Sequence, residues 1–215
     1  LLAIVLICST LPVSGLTVSA GEGTPDLELF GQQICSGDSG DGWSYADGVL
    51  TLENFHSDNS SGDFIHVTNA DLEFTLYLKG DNSVKTSERL IYGNAFGKTT
   101  ITGDPGSSLS LDGKSWADRY IFIRGVNVDV TTQGMIFLSY DMEIDNATVN
   151  FNMNGSNGYI YTTHGGLTIK NRSDVTITNL SGAVDYCVAT NKAAITDSTL
   201  KITNPSGFGV YVTKI

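Results

Sequence analysis

The chain has very little sequence that favours an α-helix. After the first 20 residues, no window of about ten residues carries apolar side chains at positions i, i+3, i+4 and i+7, the spacing of an amphipathic helix. Thr, Val, Ile, Phe and Tyr, which suit a pleated and half-buried surface, are frequent instead. We therefore expect few and short helices, and a fold that consists of strands and turns.

Cysteine and basic residues are also scarce. The 215 residues include 3 Cys, no Cys-x-x-Cys pair, and 12 Lys and Arg against 23 Asp and Glu, for a formal net charge of −11. Zinc and iron–sulfur centres need clustered Cys and His ligands, and a nucleic-acid surface needs a basic patch. The composition thus argues against both a cysteine-based metal centre and a nucleic-acid partner.

What the chain does contain is a repeat of short β-like segments. One interior anchor per repeat can be assigned, and successive anchors lie 23, 22, 21, 25 and 26 residues apart: Leu78, Ile101, Ile123, Ile144, Ile169 and Ile195. Pairs of apolar residues that alternate with polar ones follow most anchors: Leu109 and Leu111, Val128 and Val130, Val149 and Phe151, Val175 and Ile177, Leu200 and Ile202. A period of this length is typical of a solenoid, whose repeats bury their apolar faces against their neighbours.

The repeat predicts an all-β fold, a single-stranded right-handed parallel β-helix with coils of about 21–26 residues. Leucine-rich repeats have a similar length, but their Leu-x-x-Leu-x-Leu-x-x-Asn pattern is absent. A β-sandwich is the alternative. In a β-helix, Cys35 and Cys187 would lie five coils or roughly 24 Å apart, so we expect no disulfide between them and interpret Cys187 as an interior residue.

The first 20 residues have features of a secretory signal. Leu1 to Ile7 is an uncharged apolar run, too short to span a membrane, and Val18-Ser19-Ala20 provides small residues before a cleavage position at Gly21. The initiator Met and a basic segment are missing. We therefore expect an exported protein that is secreted or on the cell surface, and a sequence that starts inside its signal peptide.

The rest of the chain divides into three predicted parts. Residues 21–41 are expected to form a linker, residues 42–63 an N-terminal hairpin-like cap with the first strands, and residues 64–215 the β-helix. The cap prediction depends on the Asp47-Gly48 turn signal between two strand-like segments. Polar residues 56–62 and the segment 114–118 are expected to be loops, and the last strand is expected to continue into further coils.

Three segments resemble a known group of proteins. They are Gly-Trp-Ser-Tyr-Ala-Asp-Gly-Val-Leu-Thr-Leu-Glu-Asn-Phe (42 to 55), Asp71-Leu-Glu-Phe-Thr-Leu-Tyr-Leu-Lys-Gly-Asp-Asn-Ser-Val84 and Thr99-Thr-Ile-Thr-Gly-Asp-Pro-Gly-Ser-Ser-Leu-Ser-Leu111. The chain is similar in these segments to secreted bacterial carbohydrate-binding-domain proteins. The resemblance implies a pectate-lyase-like right-handed β-helix that binds plant polysaccharides with calcium.

The turns that follow the anchors provide a candidate calcium site. Stacked coils would align their Asp and Asn residues, and Ca²⁺ requires six to eight oxygen ligands. The alternative is a ladder of turn residues that bind backbone groups, which is a common role of Asp and Asn. The carboxylates of the candidate site are Asp81, Asp104, Asp145, Asp174 and Asp197.

Aromatic residues at the coil starts provide a candidate carbohydrate site. Each follows an apolar residue that should point inward, so the ring should point outward, and a row of rings can stack on sugar faces. The alternative is that the rings pack under loops or against another domain, and Val188 interrupts the row. The stripe consists of Tyr92, Phe137, Tyr161 and Tyr211.

No residue set points to catalysis. Asp141 and Glu143 share one strand face, and His164 is isolated on a turn without the companion motifs of a polysaccharide hydrolase. We expect a non-catalytic protein that binds polysaccharide or glycoconjugate, with calcium as an optional cofactor. Two alternatives stay open at this point: a structural stalk or adhesin module at the cell surface, and a lyase or hydrolase of the same fold.

Overall fold

The fold is described by a computed structural model over residues 26–69, 72–93, 97–181, 185–204 and 207–212. All of the secondary structure in these ranges is β-strand, with no helix. No helix in these ranges therefore has the length and apolarity needed to cross a membrane. The predicted signal peptide, residues 1–20, lies outside the described residues.

The described chain contains 25 strands. In chain order they are β1 (Leu27–Leu29), β2 (Gln32–Ile34), β3 (Ser39–Gly40), β4 (Trp43–Ala46), β5 (Val49–Glu53), β6 (His56–Ser60), β7 (Ile65–Val67), β8 (Glu73–Lys79), β9 (Asp81–Thr86), β10 (Ile91–Gly93), β11 (Lys98–Gly103), β12 (Ser108–Gly113), β13 (Trp116–Asp118), β14 (Ile121–Arg124), β15 (Asn127–Thr132), β16 (Ile136–Leu138), β17 (Met142–Asp145), β18 (Thr148–Met153), β19 (Ile160–Thr162), β20 (Gly166–Lys170), β21 (Asp174–Asn179), β22 (Tyr186–Thr190), β23 (Lys192–Ile195), β24 (Thr199–Thr203) and β25 (Phe208–Val212).

These strands form a parallel β-helix of about six turns, which confirms the predicted fold class. Each coil adds one strand to each of three sheets. Sheet 1 has the order β2-β1-β7-β10-β13-β16-β19-β22-β25, sheet 2 the order β23-β20-β17-β14-β11-β8-β5-β4-β3, and sheet 3 the order β24-β21-β18-β15-β12-β9-β6. Pairing between successive coils is parallel throughout from β5 onward.

The interior of sheet 2 is a column of aliphatic side chains in register. It consists of Leu50, Leu76, Ile101, Ile123, Ile144, Ile169 and Ile195. Five of the six predicted anchors belong to it, whereas the sixth was wrong: Leu78 pairs with Gly103, and Leu76 is the partner of Ile101. Leu76 and Leu78 face the same side of β8 and both are fully buried, so alternation alone could not choose between them.

Sheet 3 confirms the second set of predicted strands. Leu109, Val128, Val149, Val175 and Leu200 are aligned in successive coils. The first four are buried, and Leu200 in the last described coil is partly buried. Interior columns of this kind run the length of the molecule, so each coil is stabilised mainly by the coils on either side.

The N-terminal cap was predicted correctly in kind and too short in extent. The β4–β5 hairpin forms around Asp47 and Gly48, whose φ angles of 49° and 80° suit the predicted turn. Residues 26–41, predicted as a linker, instead contain β1, β2 and β3, which pair antiparallel and cover the first coil in sheets 1 and 2. Their two- and three-residue lengths are too short for a visible alternation.

Two segments predicted as loops are strands. Residues 56–60 form β6, which pairs with β9 and so begins sheet 3 one coil earlier than predicted. Trp116 lies on β13, is fully buried, and is aligned with Ile136 of the next coil. Sheet 1 strands are mostly three residues long, and a single inward residue on each side of an outward one gives too little pattern to recognise.

Both described cysteines are free and buried, as the coil count predicted. Cys187 has no exposed surface and belongs to the core together with Val188. Burial raises the pKa of the Cys187 thiol. The thiol is therefore an interior apolar group, which confirms its predicted role.

The core also contains one carboxyl group. Asp118 at the end of β13 is only 5% exposed; its Oδ1 accepts a hydrogen bond of 2.6 Å from the Arg119 N–H. Its Oδ2 receives no hydrogen bond from any described residue. Gly93 in the preceding coil provides the space, since a Cβ there would lie 2.7 Å from Oδ1. Burial raises the pKa of Asp118 to about 7, although hydrogen bonds from Thr99 and the backbone act in the opposite direction.

We predict that Ile144→Ala lowers the free energy of unfolding by about 2–5 kcal/mol, because it leaves a cavity in a fully buried column. Ile195→Ala is the matched control. It removes the same atoms from the same column, but Ile195 is 47% exposed, so the cost should be about 1 kcal/mol. Urea unfolding of both variants measures the difference, and equal losses would contradict the assigned register.

We predict that Asp118 makes the protein less stable as the pH rises. The carboxyl is protonated in both states at low pH; the unfolded chain then loses its proton near the ordinary pKa of 3.8, whereas the folded chain keeps it up to about 7. The stabilisation present below pH 4 is thus lost progressively by about pH 7, and three pKa units correspond to about 4 kcal/mol.

Asp118→Asn should abolish most of this fall and be more stable than the wild type at about pH 8. Urea unfolding across the pH range provides the measurement. Asp112→Asn, at an exposed position of β12, serves as control and should keep the wild-type pH dependence. The same slope in Asp118→Asn and wild type would show that the buried carboxyl is not its source.

Candidate functional site

The outer face of sheet 1 has one central column of side chains. Its register runs His66, Tyr92, Ala117, Phe137, Tyr161, Ala189 and Tyr211 from the N-terminal to the C-terminal coil. All four residues of the predicted aromatic stripe thus lie in a single column, with alanines in place of rings at two coils. Outward positions align because strands that pair in parallel register repeat the same side-chain direction.

The rings of this column contact one another where they occupy neighbouring coils. The centroids of Phe137 and Tyr161 lie 5.9 Å apart, and those of His66 and Tyr92 lie 5.0 Å apart. The Arg89 guanidinium lies 3.6 Å from the centroid of Tyr92 while it pairs with Asp63. The column is therefore a set of packed rings that are half-buried, except for Tyr211, which is 52% exposed.

Two tyrosines that the sequence analysis missed complete the C-terminal half of the column. Tyr159 contacts Tyr161 at 6.2 Å and Tyr186 at 5.4 Å, and Tyr186 stacks on Tyr211 at 5.7 Å. The predicted interruption at Val188 was wrong, because Val188 points into the core and Ala189 takes the outward position. Tyr159 lies two residues before Tyr161, a spacing that would have placed it on the same face.

A second group of rings lies at the corner between sheets 1 and 2. Tyr120 and Tyr140 stack with centroids 5.0 Å apart, and the His164 ring lies 5.7 Å from Tyr140. The Arg119 guanidinium carbon lies 4.6 Å from the Tyr140 centroid. His164, which seemed isolated in the sequence, is thus the third ring of a ladder. Corner residues have no regular period, so only the stacking of the coils brings these three together.

The three sheets differ sharply in what they present outward. None of the described strands of sheet 3 carries an outward Phe, Tyr or Trp. A typical outer column of sheet 3 is polar: Ser83, Ser110, Asp129, Asn150, Thr176 and Lys201. The outward aromatic surface is concentrated on sheet 1 and its corner with sheet 2.

The five carboxylates of the predicted calcium site occupy separate places. Asp81 and Asp174 share one outer column of sheet 3, but three coils, at Ser108, Asn127 and Thr148, separate them. Asp104 accepts a 2.6 Å hydrogen bond from the Tyr77 hydroxyl. Asp145 pairs with Lys170 at the outer face of sheet 2, and the backbone carbonyl of Asp197 accepts a hydrogen bond from the Arg172 N–H.

The Asp and Asn residues of the corners mainly bind one another and the backbone. The Asn171 amide donates to Asp145 at 2.7 Å, and Asn146, Asn171 and Asp197 have φ angles of 50°, 57° and 48°. Asn and Asp tolerate this left-handed conformation better than most residues. Within the described ranges no group of three or more His, Cys, Asp and Glu residues is arranged to hold a metal ion. Calcium binding by the five carboxylates stays a prediction.

The acidic pair considered for catalysis is held in other interactions. Asp141 Oδ1 accepts a hydrogen bond of 2.8 Å from the Gly166 N–H. Glu143 pairs with Arg124 and Lys170, both at 2.9 Å. Partial burial raises the pKa of Glu143, but these two cations outweigh it and leave the pKa below its ordinary value. Glu143 is therefore an ionised partner in a surface ion-pair network.

The geometry of sheet 1 has no counterpart among known proteins by which to interpret it. Comparison of the chain with protein-family models, with curated proteins and with solved structures finds no match in any of the three. The resemblance noted for residues 42–111 stays a prediction, and a function has to be argued from the side chains themselves.

Proposed function

We propose that this protein is a non-catalytic carbohydrate-binding β-helix that holds a glycan against the outer face of sheet 1. The observation that carries the proposal is the alignment of Tyr92, Phe137, Tyr161 and Tyr211 in one outward column. Tyrosine and phenylalanine rings offer apolar faces to sugar C–H groups, and tyrosine adds a hydroxyl that can hydrogen-bond to the sugar.

The distribution of side chains supports this face over the other two. Rings that served only to stabilise coil stacking would be expected on all three sheets, yet the outer face of sheet 3 carries only polar side chains along its central column. Concentrated exposed apolar surface marks an interaction site more often than chance exposure does. A column of rings with polar neighbours also suits a ligand that is apolar on its faces and polar at its edges.

The net charge of −11 favours a neutral glycan. A polyanionic polysaccharide would approach a protein of the same sign, and long-range repulsion would lower the association rate. Export of the protein, expected from residues 1–20, would bring it to the compartment where such polysaccharides occur. The competing proposal is a stalk module, in which the rings only pack against another domain.

We predict that Tyr161→Ala and Phe137→Ala each weaken glycan binding by about tenfold, equivalent to about 1.4 kcal/mol. Each removes a ring that contacts the other at 5.9 Å. Affinity electrophoresis on a panel of neutral polysaccharides, followed by calorimetry with the best oligosaccharide, measures the effect. Tyr77→Ala is the matched control, since Tyr77 points outward from sheet 2, and it should bind as the wild type does.

A stalk module would give a different result. The wild type would then bind no glycan in the panel, and the sheet 1 variants would differ from it only in thermal stability. Unchanged affinity in both Tyr161→Ala and Phe137→Ala, with normal melting, would place the glycan elsewhere on the protein.

The calcium prediction can be tested separately from glycan binding. An ion present at a hundred times its Kd stabilises the folded state by about 2.7 kcal/mol, so millimolar Ca²⁺ should raise the Tm above that measured with a chelator. Asp145→Asn and Asp174→Asn, which lie on different sheets, would identify the binding carboxylates by loss of the rise. A Tm unchanged by Ca²⁺ contradicts the calcium prediction alone.

A further inference from the structure

The outer column of sheet 1 contains one gap that its neighbours leave open. Ala117 lies between Tyr92 of the preceding coil and Phe137 of the following coil. Its side chain is half-buried, in contrast to Ala189, which is 2% exposed and lies beside the packed Tyr159 and Tyr186 rings. The segment of sheet 1 at Ala117 is thus a notch with a ring on either side and a methyl group as its floor.

The height of the notch suits one inserted ring. Two coils span roughly 9.6 Å at the usual strand spacing, and a ring sandwiched between two others needs about 7–8 Å for two carbon–carbon contacts of 3.5–4.0 Å. By contrast, the neighbouring pairs His66–Tyr92 and Phe137–Tyr161 have centroids only 5.0 and 5.9 Å apart. No ring can enter between those pairs, so Ala117 marks the place in this part of the column where one can.

The faces of Tyr92 and Phe137 that border the notch are the ones without a ring contact among the described residues. The contacts of Tyr92 involve His66 of the preceding coil and Arg89, whose guanidinium reaches back to Asp63 of that same coil. The ring contact of Phe137 is with Tyr161 of the following coil. Both rings are therefore supported from outside the notch.

We infer that the notch over Ala117 is a subsite for a single pyranose ring of a neutral glycan, sandwiched between Tyr92 and Phe137. This inference rests on the proposed glycan-binding function and deepens it. Both faces of the sugar would contact an aromatic ring, which requires C–H bonds rather than hydroxyls on both faces. The subsite would therefore select pyranoses whose ring hydroxyls are all equatorial, such as gluco-configured sugars, over those with an axial hydroxyl.

Filling the notch tests this inference directly. Ala117→Phe places a ring in the column where cross-strand aromatic contacts favour the sheet, so the Tm should not fall. Its affinity for a gluco-configured oligosaccharide should drop at least tenfold, whereas Ala117→Ser, which keeps the notch open, should stay within twofold of the wild type. Thr100→Phe, which adds a ring to the outer face of sheet 2, controls for an extra exposed aromatic residue.

The result that overturns the inference is equally clear. If glycans lie flat across the column, Ala117→Phe extends the platform and binds as tightly as the wild type or more tightly. A wild type that binds no glycan would instead refute the proposed function itself. Should Ala117→Phe fail to fold, Tyr92→Ala decides the question, because a sandwich loses affinity with either wall and a platform at Phe137 and Tyr161 does not.

Saturation-transfer NMR on the wild type provides a second readout that needs no variant. In a gluco-configured pyranose of β configuration, H1, H3 and H5 project from one face and H2 and H4 from the other. A sandwiched ring should receive magnetisation at both sets of protons. Transfer to only one set would show single-faced stacking and contradict the sandwich.

Discussion

Every surface of this protein depends on the hydrogen-bonded register between successive coils. Because strands in sheets 2 and 3 repeat in parallel without slippage over most of the molecule, a residue that faces inward in one coil is followed by inward residues in the next. A shift by one residue would move each interior side chain to the solvent. The aliphatic columns resist such a shift, and so they also fix the outer columns.

The same register accounts for the aromatic surface of sheet 1. Its strands are mostly three residues long and contribute one central outward side chain each, so a single residue per coil decides the character of the face. Rings at Phe137 and Tyr161 produce a packed pair, whereas alanine at 117 produces a gap of the same height as one coil. Small differences between repeats thus create a local site on an otherwise uniform solenoid.

Variation in coil length is absorbed at the corners. The interior column of sheet 2 advances by 21 residues from Ile123 to Ile144 and by 26 from Ile169 to Ile195, yet the pairing stays in register. The corners take up the difference with residues of positive φ such as Asn146 and Asn171. The Asp and Asn residues there have a structural role in the described coils, which separates the acidic side chains of adjacent sheets.

The buried carboxyl of Asp118 is an exception to this regular pattern. It occupies an inward position that Leu138 takes in the next coil, and the missing side chain of Gly93 makes the space for it. The desolvation cost of such a group is what raises its pKa. The site lies directly after Ala117, so the proposed notch and the one acidic group of the core are adjacent in the same short strand.

Alternation and period in the sequence were sufficient for the fold class, the hairpin at Asp47-Gly48, the interior columns from Ile101 onward and the outward stripe of four rings, because strand geometry is local and repeats every two residues. The three-residue strands of sheet 1, including the one with Trp116, were too short to show that period. Only the stacking of coils decided which of Leu76 and Leu78 anchors the column, which rings meet at the corner of Tyr140 and His164, and that the five aspartates stand apart. Those relations depend on the lengths of the corners, and no local pattern in the chain encodes how far apart two residues of different coils will lie.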